Sequence, residues 1–453
     1  MHQESNQTDR RSFLGASAAA AAGVAAASQL SIARAAKVAG SDEIRIGLVG
    51  CGGRGTGALQ QLFEAQGPVK LVAMGDAFEY RLSGSHKQLT AAAGKKADEL
   101  GKSASDLMDV PKDRQFIGLD AYKQVMDADC HLVVLATPPG FRPAQFEAAI
   151  EAGKHVFMEK PVATDAPGIR KVLEVGEKAK QKNLAVAVGL QRHHEPSYIE
   201  TIKRLQDGAI GDIVLTRVYW NNDGLWVRPR KTGQTEMEYQ TDNWFYFTWC
   251  GGDNIVEQHI HNIDVSNWLM GTHPVEANGM GGRQVRTSKD TGQVYDHHFV
   301  EFTYGDTPYG NGATMMSQCR HIPGTWNQVG EFAHGTKGTA NIARAMIYGA
   351  DGKPAWRYRG PGVSGHQQEQ LDLITSLRNG DIPNEVEQGA HSTMTAIMGR
   401  MATYGGKVVK WDDALNSTLS LGPKTLAWDA EAPVQPDADG RYPVAIPGKT
   451  VVL

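Results

Sequence analysis

The chain has 453 residues, 41% of them hydrophobic, enough for two or three domains with full cores. Its 46 lysines and arginines nearly balance 50 aspartates and glutamates, giving a net charge of −4, and no basic run gives a reason to expect nucleic acid. The four cysteines, Cys51, Cys130, Cys250 and Cys319, lie far apart without a Cys-x-x-Cys pair and read as thiols rather than a disulfide frame.

Residues 1–36 read as a twin-arginine export signal. Arg10-Arg11 precedes an alanine-rich stretch, residues 16–27, and Ala33-Arg34-Ala35 offers a small-x-small cleavage site. A periplasmic or otherwise exported protein is therefore expected. The stretch is too short for a stable membrane anchor, and no later segment is apolar enough to span a bilayer.

Residues 44–49 form an apolar strand that runs into Gly50-Cys51-Gly52-Gly53-Arg54-Gly55, with a helix over 58–63. Gly50 permits the tight turn, Gly52 lets backbone approach a pyrophosphate, and Gly55 lets the helix pack against the strand. Free N–H groups at the helix start would hold the anion. A second strand, 69–74, ends at Gly75-Asp76. Asp76 lies 21 residues after Gly55, near the ~20 expected of a carboxylate that binds a ribose diol. It favours NAD, while nearby Arg81 leaves NADP open; a strand-end turn residue is the competing reading. Strands at 130–136 and 154–158 end in Thr137-Pro138 and Glu159-Lys160-Pro161, with a helix over 143–152 between them. Asp76, Thr137 and Lys160 then share the carboxyl edge of one sheet, where ligands bind. No nicotinamide pool is expected outside the cytoplasm, so an exported cofactor must stay bound and be regenerated in place.

The second half begins with a helix over 166–182 and a strand over 184–188, followed by Arg192-His193-His194 and a helix over 198–206. Residues 213–220, 296–304 and 314–320 alternate like half-exposed strands. Residues 221–243 read as a long polar loop. Asn243-Trp244 opens a densely aromatic run that fits either ordinary core or a stacking wall for a sugar. A helix is predicted across 255–269. There Glu257 and His261, four apart, share a face, so the carboxylate can orient the imidazole for acid/base work. Asp264 sits one turn on, and His259 projects elsewhere. His-x-His converges on one ion only in an extended segment, so no metal is expected; a structural buried histidine is the other reading. Residues 335–339 look like a tight hairpin.

Taken in order, several segments resemble the Gfo/Idh/MocA family, which includes glucose–fructose oxidoreductase and inositol dehydrogenase. They are the 50–55 glycine turn, Thr137-Pro138, Ala152-Gly153-Lys154-His155-Val156, Glu159-Lys160-Pro161, the stretch from Gly251 to Asp264, and Gly335-Thr336-Lys337-Gly338. The likeness runs over residues 42–415. It implies an α/β fold, with an N-terminal Rossmann domain over 42–163 and a C-terminal α/β domain over 164–420. The second domain would carry a large open, mainly antiparallel sheet that often joins subunits, so a homodimer or homotetramer is expected; residues 421–453 are read as a tail. The resemblance implies NAD, with NADP possible, held by Gly50, Gly52, Gly53, Arg54, Gly55, Asp76, Thr137, Pro138, Glu159 and Lys160. It puts Lys160 beside the nicotinamide and the reacting hydroxyl, with His261. Glu257 stands where members typically have aspartate, and Arg142 where many have histidine. Arg192, His193, Asn243, Trp244, His259 and Asp264 are the substrate-binding candidates, and Arg142 would also contact substrate or phosphate. The expected function is an exported NAD(P)-dependent oxidoreductase acting on a sugar or cyclitol hydroxyl with a tightly bound cofactor. A redox-neutral glycosidase, lyase or epimerase working through a transient keto-sugar is the alternative, and a non-catalytic sugar-binding protein a further one.

Overall fold

The computed structural model describes residues 43–453, and the export signal expected over residues 1–36 lies outside the described residues. Six short strands, β1 (Ile44–Val49), β2 (Val69–Asp76), β3 (Gln115–Ile117), β4 (Leu132–Leu135), β5 (His155–Met158) and β6 (Val186–Val188), form a parallel sheet in the order β3-β2-β1-β4-β5-β6. Apart from Arg45 and His155 near their starts, the inner strands β1, β4 and β5 are apolar and buried on both faces, as a sheet covered by helices on each side requires. The strand order reverses between β1 and β4, which leaves a crevice beyond their carboxyl ends. Because β6 belongs to this sheet, the unit extends past the boundary expected at residue 163.

The remaining strands are β7 (Ile213–Asn222), β8 (Glu276–Gly282), β9 (His297–Thr303), the small hairpin β10 (Asp306–Thr307) and β11 (Gly310–Asn311), β12 (Thr314–His321), β13 (Gln328–Gly335), β14 (Gly338–Asn341), β15 (Met346–Gly349), β16 (Pro354–Arg357) and β17 (Val409–Lys410). Nine of them make one sheet in the order β16-β15-β14-β13-β7-β12-β9-β8-β17, antiparallel except for the β7–β12 pair. The hairpin expected at 335–339 closes with Gly335 opposite Gly338. On one face Met315, Ser317 and Cys319 of β12 and Val300 and Phe302 of β9 are buried; on the other, Met280, Phe299 and Met316 are exposed.

Three long helices were not anticipated: Glu79–Leu100, Gly365–Asn379 and Val386–Gly405. The tail beyond residue 420 has no regular structure, yet Ala432 and Tyr442 are buried against Met237, Tyr239 and Phe247. All four cysteines are buried free thiols. Among the described residues, no helix is long and apolar enough to cross a membrane, and no cluster of ligand side chains could hold a metal ion.

Candidate functional site

The glycine turn forms the floor of a cleft at the switch point. Gly50 has φ +96°, and a Cβ there would lie 2.5 Å from the Ala136 carbonyl carbon. A Cβ on Gly55 would come within 2.0 Å of the Gly50 oxygen, whereas Gly52 and Gly53 face open space. The helix Gly53–Leu62 begins without a side-chain cap and has no acidic residue in its first turn. Its free N–H groups and positive dipole end therefore face the cleft, which suits a pyrophosphate. Sequence reasoning also predicted Asp76, Thr137, Pro138, Glu159 and Lys160, and all five line the same cleft of about 330 Å³. Asp76 Oδ2 accepts from the Cys51 N–H at 2.6 Å and Oδ1 from the Phe78 N–H at 2.9 Å. Burial raises its pKa despite these bonds and the nearby Arg81. Each oxygen retains a lone pair for a ribose hydroxyl. The residues present thus fit a dinucleotide.

At the far end of the cleft, Lys160 Nζ donates to the Glu257 backbone carbonyl at 2.5 Å and lies 3.4 Å from Glu257 Oε1. Glu159 Oε1 takes two bonds from Arg54, Nε at 2.9 Å and Nη2 at 2.6 Å. Arg142 also borders the cleft. Fully buried, it donates to the Pro161 and Thr137 carbonyls, which ties the two predicted motifs together. Burial lowers its pKa to about 10.

The expected Glu257–His261 pairing is not formed. The predicted helix breaks into Asn254–Glu257 and Ile260–Met270, with Gln258 and His259 between. The Glu257 carbonyl that an unbroken helix would have offered to the His261 N–H is taken by Lys160, and the His261 N–H turns to Gln258 O at 3.3 Å. His261 instead stacks on Trp220, centroids 5.8 Å apart. It is buried, and its Nδ1 has no partner among the described residues. Burial, with Lys160 and Arg192 adding to it, draws its pKa well below the usual histidine value, so the ring is neutral near pH 7.

Five of the six substrate-binding candidates have internal partners. Arg192 pairs with Glu331 at 2.5 Å, and Tyr198 and Asn262 donate to the same carboxylate. His193 meets Asp264 at 2.8 Å, and the other Asp264 oxygen accepts from Ser392. His259, wholly buried, contacts Ser317 at 2.9 Å. Asn243, also wholly buried, accepts from the Arg228 N–H and donates to Asp290 O. Arg192, Asn243, His259 and Asp264 are thus buried and paired within the protein, and His193 is partly exposed. Trp244 does line the cleft.

Two groups went unrecognised in the sequence. Glu369 Oε1 lies 3.7 Å from Arg54 Nη2 and 3.3 Å from His366 Nδ1. Burial, and then the neighbouring Glu159, raises the Glu369 pKa well above the carboxylate range. The i,i+3 spacing of this pair on a helix was the available signal. The second group, Trp226, Arg228 and Asp242, comes from the segment read as a loop and lines the cleft opposite the glycine turn.

Residues 44–190 match the family described as "Oxidoreductase family, NAD-binding Rossmann fold", and residues 198–341 match "GFO/IDH/MocA C-terminal domain". Among curated proteins, the chain is similar to inositol 2-dehydrogenase of Acidothermus cellulolyticus, 27% identical over 241 residues, which is 53% of this chain and 58% of that protein. The alignment thus spans less than two thirds of that relative's length. Among solved structures, scyllo-inositol dehydrogenase from Lactobacillus casei with bound NAD(H) and scyllo-inositol aligns with a TM-score of 0.58 at 22% identity, over 82% of this chain and 99% of that one. An aldose–aldose oxidoreductase from Caulobacter crescentus aligns with a TM-score of 0.60 at 19% identity, over 81% and 99%. At these identities the solved structures speak to the fold.

Proposed function

Since this chain belongs to the Gfo/Idh/MocA family of oxidoreductases, with an NAD-binding Rossmann domain, we propose that it oxidises a hydroxyl of a sugar or cyclitol and passes the hydride to NAD, with NADP as the possible substitute. The observation that carries this reading is Lys160, held by Glu257 at one end of the cleft while Asp76 stands at the other. When bound, the nicotinamide supplies the hydride acceptor. Lys160, held as an ammonium, would first pass a proton to Glu257 Oε1, 3.4 Å away, and the amine so formed would take the hydroxyl proton as the hydride leaves. The neutral His261, stacked on Trp220 and close enough to Lys160 to feel its charge, would meet a substrate hydroxyl through its unpartnered but buried Nδ1 only after a local shift. The buried pairs of Arg142 and Glu159 hold the Lys160 turn still, as positioned acid/base chemistry requires.

Three further features belong to the same proposal. Arg10-Arg11 and Ala33-Arg34-Ala35 support export by the twin-arginine route. Export in turn favours a cofactor that stays bound through turnover. The exposed Met280, Phe299 and Met316 on the open sheet face support association of like subunits. The reaction is tested with a 3-deuterated glycoside and the purified protein. Deuterium recovered in NADH or in a second sugar supports oxidation. Retention within a cleaved or rearranged sugar would show a redox-neutral cycle instead.

A further inference from the structure

The segment after β7 is not a free loop. It places Trp226 and Arg228 on the cleft and returns through a short helix, Glu236–Asp242, whose start is fixed by a Thr235–Glu238 capping box. Trp226, Arg228, Thr241, Asp242 and Trp244 line the same cleft as the glycine turn and Asp76. Asp242 joins this strap to the opposite wall. Its side chain is 2% exposed, and its Oδ1 accepts from the Tyr80 hydroxyl at 2.5 Å. Tyr80 and Arg81 begin the helix that follows Asp76, and Arg81 Nη2 stands 3.9 Å from the same Oδ1. From the strap's own side, Lys231 Nζ reaches Oδ2 at 2.9 Å and Arg228 Nη1 reaches Oδ1 at 3.3 Å. The Arg228 guanidinium lies over the Trp226 ring, 3.7 Å from its centroid. Burial alone would raise the Asp242 pKa, but the Tyr80 hydroxyl and the Lys231 ammonium outweigh it, and the net shift is downward.

We propose that this strap is the second wall of the dinucleotide site and that the Asp242–Tyr80 contact is the latch that sets how fast the cofactor leaves. The proposal rests on the dinucleotide reading of the cleft. Three cations, Arg81, Arg228 and Lys231, surround the single Asp242 carboxylate. Their excess positive charge lies beside the cleft and suits an anionic pyrophosphate. A nucleotide seated between the glycine turn and Trp226 leaves only when the strap lifts, and lifting it breaks a charge-assisted hydrogen bond to a buried carboxylate. Such a lid slows entry as well as exit, so opening the latch changes both rates more than it changes the affinity.

The test is displacement of NADH from the full chain by excess NAD, followed by nicotinamide fluorescence in a stopped-flow instrument. Asp242→Asn and Tyr80→Phe should each release NADH about tenfold faster than wild type or more. Association should accelerate in parallel, with a smaller change in Kd. Tyr80 is half exposed, so Tyr80→Phe reports even where Asp242→Asn fails to fold. Unchanged release from a folded Tyr80→Phe that still binds NADH overturns the latch and leaves the cleft assignment standing. A wild-type chain that binds neither NADH nor NADPH overturns both.

Discussion

Lys160 is held by two atoms of one residue, the carbonyl and the carboxylate of Glu257. Replacing it with methionine keeps most of the volume and removes the proton carrier. Lys160→Met should therefore keep its nucleotide, measured by absorbance of the purified protein, and lose about a thousandfold in turnover. Asp76→Ala should weaken NAD by about tenfold and NADP by less, since the lost carboxylate serves the ribose diol and repels a 2′-phosphate; equal losses in titration calorimetry would remove Asp76 from cofactor choice. The depressed pKa of His261 has a sign that can be checked. A base whose pKa is pulled down is neutral above that lowered value, so the rate should show no His261 inflection near pH 6.5. An inflection there that vanishes in His261→Gln would contradict the buried, neutral ring. Lys160 and Asp76 were legible because each sits at a strand end beside a glycine or proline, where local spacing decides position. That Arg192 and His193 have internal partners was not legible, because Glu331 and Asp264 lie 139 and 71 residues away. A polar letter in a sequence shows a capacity for hydrogen bonding and not whether another residue has already satisfied it.

Among the elements, the glycine turn was legible where its constraint is steric and local, at Gly50 and Gly55. Gly55→Ala should destabilise the chain by roughly 1–3 kcal/mol, because its Cβ would lie 2.0 Å from the Gly50 carbonyl oxygen and within 3.2 Å of Leu48 and Ala136; it should also lose NADH binding in a fluorescence titration. The helix Glu79–Leu100 went unread because its buried stripe, Leu82, Ser85, Leu89, Ala93 and Ala97, contains small and polar residues that blur the apolar period. Val386–Gly405 was hidden for the opposite reason: it is buried almost all round, so no polar face sets off an apolar one. The break at Gln258–His259 was invisible because Lys160, nearly a hundred residues earlier, draws off the Glu257 carbonyl. Just upstream, Asp253 adopts φ +82° and is wholly buried. It accepts from Tyr404 at 2.5 Å and from the Tyr295 N–H at 3.0 Å, with His298 at 3.3 Å. Burial alone would raise its pKa, but His298 leads the groups that bring it down to about 2. Its stabilising contribution is therefore complete above the ordinary aspartate range and is lost as pH falls toward about 2. Wild type should melt well above Asp253→Asn at pH 6, and the gap should shrink between pH 4 and pH 2. A gap that is constant with pH would mean that this carboxylate does not titrate differently in the fold.

For the whole molecule, the exposed Met280, Phe299 and Met316 form an apolar stripe on a sheet whose other face is core. Light scattering of the wild type should give a multiple of the chain mass, and Phe299→Glu should reduce it to one chain; a monomeric wild type would leave the stripe without this role. The two-unit layout was legible from the order of motifs, while the tight docking of the tail was not, since it depends on aromatic contacts such as Phe78 with Trp428, centroids 5.4 Å apart. The strap carries a consequence in time. Tyr80 and Asp242 are 162 residues apart. At the pace of translation the last strand of the cradle, β6, emerges roughly three to ten seconds before Asp242. If the latch acts as proposed, a nucleotide enters unhindered in that interval and exchanges slowly once the strap is down. The identity of the cofactor would then be decided by the nucleotides present where the chain is made, and carried unchanged to wherever the protein works.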